Sequence, residues 1–279
     1  MEQINRYSVV RFPKSRIGTI DLGRIGRTKH HIAALLEIDV TDARSRLRIL
    51  RRESRVPISF TAWLIKTIST AIVAHKEVHA LLHRNRRELV VFDDVDLATI
   101  VEKEVDGKLV PLPLLIEGAN RKTLAQIQQG ITDAKSRNVF NEGDYVLDDK
   151  TSTLQMRLYY VLPSAIRLLA LKFILSRPLL RKKLMGTVVL TSIGTKRKFP
   201  GWFIHKSYHN LSFGVGSVVK KPWVIDDQVK VREILNLTLL IDHDVIDGAP
   251  MARFVSALSH LMETASGLSA GEPKINAEE

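Results

Sequence analysis

The sequence predicts an α/β fold, and three observations lead there. Strand-length apolar runs, such as Leu237-Thr238-Leu239-Leu240-Ile241, alternate with segments whose apolar residues recur every three or four positions. Turn and breaker signals (Pro57, Asp106-Gly107, Asp226-Asp227) fall between these runs. Of 279 residues, 45% are apolar, enough to give one large domain or two small ones a true core.

Composition narrows the function classes. The chain has no cysteine, which excludes disulfides, thiolate metal sites and cysteine nucleophiles. Met1 to Phe12 lack the continuous apolar core of a signal peptide, and no stretch reaches about 18 uncharged apolar residues. A cytoplasmic setting fits. The net charge of +12 suits nucleic acid, an anionic membrane or a phosphorylated ligand. No helix-turn-helix, finger spacing or aromatic-studded basic strand appears, so no nucleic-acid partner is expected.

Taken in order, residues 1–30 read as a basic N-terminal arm, irregular because Gly18, Gly23 and Gly26 break any long helix. His31 to Thr41 is a strand. Asp42 to Arg55 is a basic surface helix capped by Thr41 or Asp42. Ser59-Phe60-Thr61 opens a helix through Trp63, Leu64, Ile68, Ala71, Ile72 and His75, with one buried face. His75, His79 and His83 share a helix face by spacing, but no carboxylate at ligand spacing joins them, so no metal site is expected. Leu89–Phe92, Asp96–Val101 and Lys108–Leu115 are strands, the last two joined by a hairpin at Asp106-Gly107. Asn120 to Arg137 forms a helix. Residues 154–184 are apolar but punctuated by Arg157, Arg167, Lys172, Arg177 and Arg181-Lys182-Lys183. Pro163 and Pro178 divide them into two short helices. Packing on protein is the favoured reading of this segment; peripheral contact with an anionic membrane is the alternative. Gly186–Gly194 and Phe213–Gly216 are strands. Asp226-Asp227 turns into a strand from Val229 to Asp242, and Pro250 begins the last helix. Residues 266–279 are expected to be a disordered tail.

The apolar run ending at Asp242 delivers His243, then Val245, Ile246, Asp247, Gly248 and Ala249. A histidine at a strand end is held by the strand and opened by the loop that follows. This H-x-x-x-D-G run, with Ala252-Arg253-Phe254 beyond it, resembles the catalytic domain of the 2-oxo acid dehydrogenase acyltransferases, in the chloramphenicol acetyltransferase-like superfamily. Gly186–Gly194 is similar to that family's G-G-T-F-T-I-S-N-L-G segment, and Phe213–Gly216 with Lys220-Lys221-Pro222 to its G-V-G…K-x-P-V. The resemblance implies a central mixed β-sheet flanked by helices over residues 31–265, with 154–184 as a basic helical insertion. It implies a stand-alone member, without a lipoyl domain or a covalently attached lipoyl group. A homotrimer with its active site between subunits is also implied.

Chemistry follows from that resemblance. His243 is the general base that deprotonates coenzyme A or another thiol, amine or hydroxyl acceptor; neutral imidazole is competent for this at pH 7. Thr191, with Ser192 as the alternative, is the hydroxyl that stabilises the oxyanion. Asp247 holds the histidine loop through an arginine, with Arg24 and Arg27 as candidates. Gly216, Lys220 and Lys221 are candidates for binding the coenzyme. Acyl-coenzyme A or an acyl carrier is the expected partner. Asp244 stands where the family has arginine, which suggests a raised His243 pKa or an altered partner surface. The alternative function is a non-catalytic scaffold or membrane-surface module that keeps the fold.

Overall fold

The computed structural model describes residues 7–9, 12, 15–53, 57–83, 85, 87–105, 108–136, 158–193 and 200–268. Their elements run in the order α1 (Ser15–Gly26), β1 (His31–Asp39), α2 (Thr41–Glu53), α3 (Phe60–Ala74), a 3-10 turn (Lys76–His79), β2 (Leu81–Leu82), β3 (Leu89–Val90), β4 (Leu97–Val105) and β5 (Lys108–Ile116). Then come α4 (Leu124–Ser136), α5 (Ser164–Leu175), α6 (Pro178–Met185), β6 (Val188–Ser192), β7 (Leu211–Ile225), β8 (Gln228–Asp242) and α7 (Gly248–Glu263).

Six strands form one mixed sheet in the order β1-β8-β7-β6-β4-β5. The β1/β8, β8/β7 and β4/β5 pairs are antiparallel, whereas β7/β6 and β6/β4 are parallel. Pairing of β4 with β5 reaches Val105↔Lys108, as the hairpin reading requires, although Asp106 and Gly107 lie outside the described residues. At the β7–β8 turn, Asp226 and Asp227 have φ of 52° and 58°, the two left-handed residues of a type I′ hairpin.

One face of the sheet presents Leu190, Phe213, Leu237, Leu239 and Ile241, all buried under α3, α4 and α7. Trp63 on α3 is fully buried there, and its indole N–H donates to the Ser266 carbonyl at 3.0 Å. Because side chains alternate along a strand, Thr238, Leu240 and Asp242 point to the opposite face. Residues 200–210 lie across part of that face. Gly216 is needed for this approach: a Cβ there would stand 2.5 Å from the Gly201 carbonyl oxygen.

The N-terminal segment is not irregular as its glycines suggest; Ser15–Gly26 is a helix. Tertiary contacts override the glycine penalty. Ile25 packs with Leu171 of α5 and Met185 of α6 in a small second core. Asp21, buried on α1, accepts hydrogen bonds from Arg167 Nε (2.7 Å) and Tyr159 Oη (3.0 Å). Gly26 lets α1 end against the backbone of Ser207, where a Cβ would meet the carbonyl oxygen at 2.8 Å. The segment 154–184 divides at its prolines as expected, with Pro178 in the first turn of α6. Capping of α2 differs from expectation: Asp39, not Thr41 or Asp42, accepts the Thr41 N–H at 3.0 Å. The expected tail beyond Leu268 lies outside the described residues.

Candidate functional site

His243 sits immediately after β8, in the turn that leads to α7. Its N–H donates to the His30 carbonyl at 2.9 Å, which ties the turn to the residue before β1. About half of its side chain is exposed, so the ring is open to a reactant. Asp247 is the N-cap residue of α7, yet its carboxylate makes no capping bond. It lies 3.8 Å from His243 Nδ1 instead. That distance is too long for a hydrogen bond but close enough for the carboxylate to bias the ring's orientation.

The arginine partners expected for Asp247 are not there in the protomer. Arg24 lies 4.0 Å from Asp21 on its own helix, and Arg27 lines a cleft described below. The Asp244 carboxylate meets His30 Nδ1 at 2.8 Å, and this hydrogen bond raises the His30 pKa.

What fixes the end of β8 is a buried polar network that the sequence does not reveal. Asp242 is fully buried; its carboxylate accepts from Lys29 Nζ at 2.6 Å, and its N–H donates to the Asn210 carbonyl at 2.8 Å. Asn210 Oδ1 accepts from Lys29 (2.9 Å) and from Arg181 (3.2 Å), while its Nδ2 donates to the Ala80 carbonyl. Burial lowers the Arg181 pKa to about 10. Lys182 points inward as well, to Asp96 at 2.5 Å, so of the Arg181-Lys182-Lys183 cluster only Lys183 is exposed. A run of basic residues on an apparently amphipathic segment gave no sign that two of them turn inward.

Thr191 and Ser192 end β6. Leu190 belongs to the helix-covered core, so alternation sends Thr191 to the opposite, open face and Ser192 to the covered one. Registers align Thr191 with Gly214 and Gly214 with Thr238. His243 lies five residues beyond Thr238, about 16 Å along the strands, and two strand spacings away, about 10 Å across. Within one protomer, then, the hydroxyl does not reach the imidazole.

The open face carries a cleft of about 100 Å³. Arg27, Lys29, His31, His205 and Lys206 line it, and no carboxylate does. Burial lowers the pKa of His205 to about 4 and lowers that of His31, so both rings are neutral at pH 7. The cleft adjoins the histidine turn, since Lys29 and His31 flank His30. By contrast, Lys220 and Lys221 pair in register with Glu233 and Arg232, some ten residues and roughly 30 Å back along β8. Lys221 binds the Glu37 carboxylate and lies 5.7 Å from the centre of the Trp202 ring. Gly216 serves backbone packing, as noted. None of the three faces His243 in the protomer.

The three spaced histidines do not share a helix face, because α3 ends at Ala74. His79 is fully buried between Thr187 Oγ1 (2.9 Å) and the Phe92 carbonyl (3.1 Å), and burial lowers its pKa to about 4. His83 lies 3.7 Å from Glu88. Among the described residues no group of three or more His, Cys, Asp or Glu could hold a metal.

A family model for the 2-oxoacid dehydrogenases acyltransferase catalytic domain matches residues 24–141 and 212–270. The chain belongs to this family. The match covers β1, α3, β8 and the His243 turn, and leaves out α5, α6 and β6 with Thr191. A Corynebacterium glutamicum dihydrolipoyllysine-residue acetyltransferase component of the pyruvate dehydrogenase complex is 23% identical over 247 residues. That alignment covers 84% of this chain and 30% of the relative, so the chain spans about a third of the length of such proteins. A Bacillus subtilis lipoamide acyltransferase component of the branched-chain alpha-keto acid dehydrogenase complex is 21% identical, covering 84% and 47%. Among solved structures, the cubic core of the pyruvate dehydrogenase complex aligns with a TM-score of 0.67 at 17% identity over 95% of both chains. An Azotobacter vinelandii dihydrolipoamide acetyltransferase aligns with a TM-score of 0.68 at 16% identity, also over 95% of both. That structure comes from an investigation of a serine, a histidine and an asparagine in its catalytic mechanism. The shared fold is the mixed sheet with flanking helices that the sequence resemblance implied.

Proposed function

We propose that this chain transfers an acyl group between a thioester and a thiol, with coenzyme A or a carrier arm on one side of the reaction. His243 acts as general base. It takes the thiol proton through the ring nitrogen that does not face Asp247, and general-base help is worth roughly 10² to 10⁴ in rate. Asp247, 3.8 Å from Nδ1, orients the ring. The thiolate attacks the thioester carbonyl, and the Thr191 hydroxyl donates to the resulting oxyanion. The intermediate collapses by expelling the original thiolate, which takes the proton back from His243. The cationic cleft beside the histidine turn, rather than Lys220 and Lys221, suits the phosphates of the coenzyme.

One observation carries this reading. In the Azotobacter enzyme the serine precedes the histidine by 52 positions and the asparagine follows it by four. Here Thr191 precedes His243 by the same 52 positions, and Asp247 follows by the same four. Ser192 misses that offset by one and lies on the covered face of the sheet. Since Thr191 and His243 lie far apart in one protomer, the reading requires a site built from two copies, as in a homotrimer.

A mixing experiment tests this. His243→Ala and Thr191→Ala are each expected to lose coenzyme A-dependent acyl transfer, by about 10² or more. Oligomers assembled from equal amounts of both variants should recover about a quarter of the wild-type sites, since each site takes one residue from each of two subunits. Wild-type turnover in His243→Ala removes the mechanism. Two inactive variants that never complement remove the shared site.

A further inference from the structure

We infer that the exposed face of α5 and α6 docks on an anionic lipid surface. The observation begins with α5, which is apolar on most of its surface, with Arg167 and Lys172 as its two charged residues. Only one side is buried: Leu171 packs on Ile25 of α1, with Leu168 and Leu175 beside it. The opposite side shows Ile166 (48% exposed), Leu169 (69%) and Phe173 (51%), spaced three and four apart so that they form a single stripe. Val161, just before α5, and Leu179, on α6, extend the apolar area at 82% and 74% exposure.

Charge selects the occupant. Residues 150–225 contain 14 Lys and Arg and no Asp or Glu, more than the whole chain's net +12. The remainder of the chain is therefore close to neutral; of these 14 cations, Lys172, Arg177 and Lys183 are the exposed ones at α5 and α6, while Lys206 lines the cleft and Lys220 and Lys221 lie on β7. Lys172 and Lys183 lie exposed on its flanks. The Arg177 guanidinium stacks over the Phe173 ring at 3.9 Å, so its cation rides at the edge of the apolar face. Apolar side chains bordered by cations, with no carboxylate among them, suit acyl chains beneath anionic headgroups. A two-fold dimer that pairs this face with itself would bring like charges together; a heterologous contact, as in a trimer, is the competing occupant that the oligomer measurement below separates from lipid. The family match leaves out residues 142–211, which include α5 and α6. The charge run also contains Arg181 and Lys182, which face inward and take no part in the docking.

The whole chain is sedimented with phosphatidylcholine vesicles, with and without phosphatidylglycerol, and each variant is checked by circular dichroism and sedimentation velocity. Wild type should pellet with the anionic vesicles, at least about tenfold better than with neutral ones, and less as salt rises. Leu169→Ser combined with Phe173→Ser should lower binding about tenfold or more. Lys172→Gln with Lys183→Gln should lower it about 30-fold, at about fivefold per charge. Lys230→Gln, on the distant β7–β8 hairpin, should leave it unchanged. Failure of wild type to bind either vesicle overturns the proposal, as does equal binding to both. So does a folded serine variant that binds like wild type. If instead the serine pair breaks up an oligomer that ignores vesicles, the face is a subunit contact and the lipid reading is wrong.

Discussion

The sheet with its covering helices and the small unit of α1, α5 and α6 are built on different terms. In the first, Trp63, Phe213, Phe254 and Leu235, Leu237 and Leu239 of β8 lie fully buried in one continuous core, and the histidine turn grows from the end of its most protected strand. In the second, three buried apolar residues are supplemented by one carboxylate, Asp21, that holds two partners. The first unit derives its order from apolar area; the second depends on a few directed polar contacts and leaves half of α5 in solvent. The contrast teaches that the larger core fixes the chemistry's position, while the smaller unit is free to present a surface. It is not fully separate, however, because Arg181 of α6 reaches the Asn210 carboxamide beside Asp242.

That contrast can be broken in three ways, in order of expected effect. Trp63→Ala removes a fully buried ring and one hydrogen bond, and should cost about 3–5 kcal/mol of global stability in urea denaturation. Acid should act next. His79, His205 and His209 are held neutral by burial, with pKa values lowered to about 4, about 4 and about 3. Unfolded histidine takes up a proton below about pH 6.5. The unfolded chain therefore binds more protons than the fold between pH 6.5 and about 4. Stability is highest above pH 6.5 and falls on acidification through that window, on the order of a few kcal/mol in total. A urea midpoint that stays flat from pH 7 to 4.5 would count against the buried histidines. The smallest effect is Asp21→Asn, which weakens the contacts to Arg167 and Tyr159 at a cost of about 1–3 kcal/mol. Amide exchange should speed up in α1 and α5 and stay unchanged in β7 and β8. Equal loss of protection in β8 would show that the two units unfold as one.

Local pattern made most elements legible. The apolar runs of β4, β5, β7 and β8, the Asp226-Asp227 turn and the proline-bounded helices α5 and α6 all follow from period, punctuation and propensity. The H-x-x-x-D-G run also marked His243 before any coordinates. Failures came where a distant contact outweighed a local preference. Three glycines argued against α1, but Leu171, Met185 and Arg167, more than a hundred residues away, hold it as a helix. Four-residue spacing grouped His75, His79 and His83, but the chain leaves the helix at Ala74 and buries His79 alone.

By itself, the sequence determined the order of strands and helices, the histidine at a strand end and the excess of positive charge, because period, turn chemistry and composition act between near neighbours. Only the tertiary structure decided that Lys29, Asn210 and Arg181 hold Asp242, that Thr191 rather than Ser192 faces the open side, and which lysines turn inward. Those outcomes depend on strand register and on burial. Both arise from contacts between residues far apart in the chain, which no local pattern encodes.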